Sequence, residues 1–187
     1  MPAARGDEDI DVFAIEGVDA LFAEAPSEFV AARDRLAKEL RAGGDKEAAK
    51  AVKALRRPTV VAAALNQVAR AHPDRLDELA DAGRALQETY AAVLAGERPG
   101  GDLDEPAQRR RRVVAELAGE VAKQAGEAHR EEAAGTLEAA SLDDAAMAQL
   151  RAGRLTAALD PPAGFGFGDA PLPAAPAKAP GAPSAAE

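Results

Sequence analysis

The stretch Ser27–Arg70, SEFVAARDRLAKELRAGGDKEAAKAVKALRRPTVVAAALNQVAR, constrains the fold more than any other part of the chain. Gly43-Gly44-Asp45 joins a left-handed C-cap for one helix to an N-cap for the next. Arg57-Pro58-Thr59 is a second break, because Pro58 cannot continue a helix and either Pro58 or Thr59 starts a new one. Pro26 opens the first of these three helices. Phe29, Ala32, Leu36 and Leu40 form its apolar stripe, and Ala48, Val52 and Leu55 repeat that spacing on a shorter, basic second helix. The third carries no charge between Arg57 and Arg70 and turns Val61, Leu65 and Val68 inward, so it should sit centrally.

Upstream, Val18, Leu21 and Phe22 have the spacing of a short helix. Ile10, Val12 and Ala14 alternate with Asp9 and Asp11, but no second strand is available to pair with them. Downstream, His72-Pro73-Asp74 opens a helix with Pro at its first position and acids in its first turns. Its stripe runs through Leu76, Leu79, Gly83, Leu86, Tyr90 and Val93 or Leu94. Gly96 and Pro99-Gly100-Gly101 end it and mark the best internal boundary. Glu105-Pro106 opens a fifth helix with Val113, Val114, Leu117 and Val121 inward, weakening at Gly126. The stretch Arg130–Ala140 reads as helical but poorly anchored. Ser141–Asp144 has the form of a capping box before a last helix with Leu142, Met147, Leu150 and Leu155.

The expected fold is all-α, an elongated helical bundle of five or six helices. An acidic disordered arm covers 1–16, an N-terminal helical region 17–98, and a C-terminal helical region 99–160. A disordered Pro/Ala-rich tail covers 161–187, where seven of the 13 prolines fall.

About a quarter of the residues are alanine, with no Trp, one Tyr and five Phe. A core of Leu, Val and Ala buries little area per residue and leaves apolar helix faces for a partner or a second copy to cover. The chain has no cysteine, which excludes disulfides, thiol catalysis and thiolate metal sites. His72 and His129 lack a second ligand at zinc spacing, and no phosphate loop or nucleophile motif is present. The acids Asp74, Asp77, Glu78 and Asp81 share a helix without the loop of a calcium site. No enzyme activity, metal or cofactor is expected. The acidic N-terminus and the lack of any run of about 18 apolar residues predict a cytoplasmic protein without a transmembrane segment.

The net charge of −9 argues against a generally basic nucleic-acid coat, but the charge is uneven. Residues 1–25 hold seven acids and one base, and residues 26–72 hold ten bases and five acids. Lys46, Lys50, Lys53 and Arg57 fall at i, i+4, i+7 and i+11, a single helix face, with Arg56 beside them. A stripe of that kind meets phosphates. The competing reading folds the acidic arm back on it, or leaves it solvated. A helix-turn-helix with 59–70 as the reading helix would use Asn66 and Gln67. It lacks the usual turn glycine and has almost no polar side chains to read with. Asn66 then becomes a buried amide bonded to a nearby carbonyl. The run Arg109–Arg112 fans around a helix and is better read as a solvated, locally paired helix start.

In the tail, Gly164-Phe165-Gly166-Phe167-Gly168 offers two aromatics, Phe165 and Phe167, that could dock on the helices or in a partner groove. Leu172–Lys178 matches the form of a polyproline ligand.

The stretch Val18–Arg70 resembles an uncharacterised alanine-rich, all-helical protein family of high-GC actinobacteria. The resemblance rests on Ala32-Arg33-Asp34, Lys53-Ala54-Leu55-Arg56-Arg57-Pro58 and Asn66-Gln67. Members often carry a Trp in the third helix, where this chain has Ala62-Ala63-Ala64, so a contact made through that ring does not carry over. The resemblance implies an all-helical, bacterial, cytoplasmic protein and implies no activity. The favoured expectation is a non-enzymatic protein-interaction or regulatory module. The alternatives are a nucleic-acid-associated protein using residues 46–57 and a phasin-like coat on a granule or lipid surface.

Overall fold

A computed structural model describes residues 10–159. The described residues contain eight α-helices, three short 3-10 turns and no strand. The all-α expectation holds, with more helices than expected. They are α1 (Val18–Leu21), α2 (Pro26–Ala42), α3 (Lys46–Ala54), α4 (Val60–Ala71), α5 (Pro73–Leu94), α6 (Asp104–Ala125), α7 (Arg130–Leu142) and α8 (Asp144–Ala152).

The sequence punctuation sets the helix ends. Gly44, at φ +95°, reverses the chain after α2, and the Asp45 carboxylate accepts from Ala48 N–H at 2.9 Å to cap α3. The Thr59 hydroxyl accepts from Ala62 N–H at 3.1 Å to cap α4. The capping box expected at Ser141–Asp144 is not formed. Asp143 caps α8 through Ala146 N–H, and Ser141 is buried in the last turn of α7.

Two apolar cores form, and they divide at the 55–59 link. The first joins Val18, Leu21 and Phe22 to Phe29, Ala37 and Val52, with Phe13, Ile15 and Leu36 packed against it. It is aromatic. Phe22 lies 6.0 Å from Phe13 and, edge-on, 5.4 Å from Phe29. The second core has no aromatic residue and takes Val, Leu, Ala and Met from α4 through α8.

Leu76 and Leu79 of α5 share one core with Val113 and Leu117 of α6, so the loop at 95–103 joins two packed helices within a single core. Residues 10–16, expected within the acidic arm over 1–16, are among the described residues. Residues 10–16 are ordered against the first core, with a turn at Val12–Ala14. Residues 1–9 and the tail at 161–187 lie outside the described residues.

Helix α4 is central, as its lack of charge predicts. Eight of its twelve residues, from Val61 to Ala69, are buried. The segment expected to be poorly anchored is a core element instead. Ala133, Thr136, Leu137, Ala139, Ala140 and Ser141 of α7 are all buried, because α7 packs on both α5 and α6. Its small side chains permit close approach, which the sequence reads as weak anchoring. Gly83 of α5 shows how close. A Cβ added there would lie 1.7 Å from the Ser141 carbonyl oxygen.

Candidate functional site

The predicted basic stripe lies on α3, and helix geometry breaks it. Lys46, Lys50 and Lys53 are exposed on the helix. The helix ends at Ala54, and Leu55 turns to an extended conformation at ψ 132°. Arg56 and Arg57 are therefore exposed on the link and do not extend the stripe in helical phase. Lys53 is held by Asp34 of α2 at 2.7 Å. Arg33 pairs with the same carboxylate at 2.9 Å and donates to the Leu55 carbonyl at 2.8 Å, so it braces α2 against the end of α3. Lys53 and then Arg33 hold the Asp34 carboxyl below its ordinary pKa. Among the described residues, Lys46, Lys50, Arg56 and Arg57 form no ion pair.

The helix-turn-helix reading does not survive. The would-be reading helix is α4, which is enclosed by its neighbours. Asn66 is fully buried and bonds the Leu155 backbone, as its alternative reading predicts.

Three of the four acids in the row on α5 are held in ion pairs, and Asp74 is exposed. Asp77 pairs with Arg151, Glu78 with Arg75, and Asp81 with Arg84. Among the described residues, no group of three or more His, Asp or Glu side chains is placed to hold a metal ion. No helix among them is long and apolar enough to cross a membrane.

The Arg109–Arg112 run splits by position. Arg109 lies 4.0 Å from Glu78 of α5, and Arg111 and Arg112 are exposed. Arg110 points inward and donates to the Ser141 hydroxyl at 3.0 Å near the C-terminal end of α7. Its Nε has no hydrogen-bond partner among the described residues, and burial lowers its pKa. Four adjacent arginines in a polar run give no sign that one is interior.

The junction between the two cores rests on two arginines that the sequence does not single out. Arg70, at the end of α4, donates to the carbonyls of Phe22 at 3.0 Å and Gly153 at 2.8 Å. These oxygens lie just past the C-terminal ends of α1 and α8, where a cation is favoured. Arg154 makes a two-pronged bond to Asp19, at 2.6 and 3.1 Å, with its guanidinium 4.9 Å above the Phe13 ring.

Beside this junction lies an open, mainly apolar groove of about 550 Å³. Phe13, Ala148, Ala152, Arg154, Leu155 and Leu159 are among its walls. A different apolar surface lies at the tip of the α5–α6 hairpin. From Tyr90 to Glu105 no residue is buried, and Leu94 is 69% exposed. Phe165, Phe167 and the Leu172–Lys178 stretch lie outside the described residues. Compared with protein-family models, with curated proteins and with solved structures, the chain matches none.

Proposed function

We propose that this chain is a non-enzymatic helical interaction module, which binds a partner protein or a second copy of itself through the tip of the α5–α6 hairpin. The exposure of Leu94 carries this reading. Leu94 sits on the last turn of α5, with Tyr90 one turn earlier, also exposed. The main core takes Leu76, Leu79 and Ala80 from α5 and begins on α6 at Val113, so the hairpin runs on past it. An apolar tip on a braced helical pair is a surface that a partner helix can cover.

A photo-cross-linking residue at position 94, with position 81 as the control, tests this in the producing cells. Protein adducts at 94 and none at 81 support it. No adduct at either position, with a monomer at every concentration by sedimentation, overturns it.

A second reading has its own observation. The exposed cations Lys46, Lys50, Arg56 and Arg57, free of ion pairs among the described residues, support contact with a polyanion. Binding of a labelled generic duplex at about 50 and about 200 mM salt tests it. Binding that collapses with salt and weakens in Lys50→Glu supports nucleic-acid association. No binding at the lower salt removes it. If the acidic N-terminus competes for these cations, removing residues 1–9 tightens binding. Removing residues 10–16 as well would damage the first core.

A further inference from the structure

We propose that the groove beside the Arg70–Arg154 junction is the docking site of the chain's own C-terminal aromatic segment, with Phe165 and Phe167 seated against Phe13, Ala152 and Leu159. Three observations converge on this occupant.

The first is where the chain goes. The described residues end at Leu159, which is itself a wall of the groove, so residues 160–187 begin on its rim. Phe165 is six residues further on, and six residues span at most roughly 20 Å. The segment needs only to turn back on itself, and Pro161-Pro162 stands where that turn would be made. Tethering at this distance gives the tail a high effective concentration over any free competitor.

The second is the chemistry of the walls. Alanines 148, 152, 157 and 158 form a shallow floor without long side chains, and Leu155 and Leu159 supply apolar contact. Phe13 and Arg154 offer an aromatic ring and a cation, both of which attract an incoming aromatic. The groove has the size of a small-ligand site.

The third is the spacing in the tail. Phe165 and Phe167 stand at i and i+2 between glycines. In an extended segment, side chains two apart project to the same side, and flanking glycines let a backbone approach a wall closely. The remaining Phe residues, Phe13, Phe22 and Phe29, all belong to the first core, so the tail aromatics would add to an existing aromatic cluster.

The chain has no Trp, so Phe165→Trp introduces a single indole that can be excited apart from Tyr90. In the full-length protein we expect its emission to be blue-shifted and its quenching by acrylamide to be several-fold weaker than for Ala185→Trp at the tail's end. Adding Ala148→Glu, at an exposed position on α8, should return the emission to the solvated form with the helical circular dichroism unchanged. Solvated emission from Phe165→Trp alone overturns the proposal. So does protection that survives both Ala148→Glu and Ala152→Glu, since the segment is then seated elsewhere. Protection lost on dilution also overturns it, because the occupant is then the tail of another copy.

Discussion

The side-chain amide of Asn66 pairs with both backbone polar groups of Leu155. Its Nδ2 donates to the Leu155 carbonyl at 2.9 Å, and its Oδ1 accepts from the Leu155 N–H at 2.8 Å. All four groups are buried between α4 and the segment that follows α8, 89 residues away in the chain. An extended segment has no partner of its own for these groups, and α4 supplies one from its centre. A nearby bond, from Thr59 N–H to the Thr156 carbonyl at 3.0 Å, fixes the same segment to the start of α4.

Asn66→Ala leaves a buried N–H and a buried C=O without partners, each at a cost of about 1–3 kcal/mol. The expected loss is about 3 kcal/mol in urea unfolding, with faster hydrogen exchange at Leu155. A loss below about 1 kcal/mol would show that water replaces the amide and that the pairing is not a structural anchor.

Two helical glycines should respond to the same substitution with opposite signs. Glycine inside a helix costs about 0.5–1 kcal/mol relative to alanine. Gly135 on α7 has open space where a Cβ would stand, so Gly135→Ala should stabilise by that amount. At Gly83 the added Cβ meets the Ser141 backbone oxygen at 1.7 Å, and backbone cannot swing aside as a side chain can. Separating α5 from α7 costs about 1–3 kcal/mol, which outweighs the propensity gain. Thermal melts should therefore shift upward for Gly135→Ala and downward for Gly83→Ala. Equal signs would contradict the close contact of α5 with α7.

What the sequence discloses is local. Gly44, Asp45, Thr59 and Pro73 mark their helix ends by their own chemistry, and the absence of charge on α4 forecasts its burial. The failures are of another kind. The basic stripe reaches Arg57 only in unbroken helical phase, and at Leu55 the backbone becomes extended. Helix α7 looks weak because Ala, Gly, Thr and Ser give little apolar pattern, although small side chains are what a tightly approached helix needs. Arg70, Arg110 and Arg154 look like surface cations. Their partners are helix-end carbonyls, the Ser141 hydroxyl and the Asp19 carboxylate, contacts made across at least 31 residues and unmarked by any spacing. Candidate surfaces are harder to read than the fold for the same reason. Exposure of Leu94 depends on how far α5 runs beyond a core built largely from other helices.

Arg70 gives a prediction about cooperativity. It bonds carbonyls of the first core and of the α8 end at once, and burial lowers its pKa, offset in part by Asp19. Arg70→Met keeps the apolar stem and removes the charged hydrogen bonds, each worth about 1.5–3 kcal/mol. The first core is small and depends on this junction, so its opening should separate from global unfolding. Hydrogen exchange should quicken across α1–α3 and stay slow in α4 and α6. Uniform quickening through all helices would mean that the two cores unfold as one unit with or without Arg70.

Asp34 ties the stability of the first core to pH. Lys53 and Arg33 stabilise its charged form, so the folded protein binds this proton less readily than the unfolded chain. The resulting stabilisation is complete above the unfolded value, near 3.8, and is lost as pH falls through the lower folded value. Carbon-detected titration of the Asp34 carboxyl should give a midpoint below 3.8, and Asp34→Asn should remove that part of the acid sensitivity. The pair is partly solvated, so the change is small. A midpoint at or above 3.8 would show that Lys53 does not hold the carboxylate in solution. Lys53 also lies on the cationic face of α3, so the same variant connects stability to binding. If that face contacts a polyanion, Asp34→Asn frees Lys53 and strengthens binding at low salt, and Lys53→Ala in the same background reverses the gain.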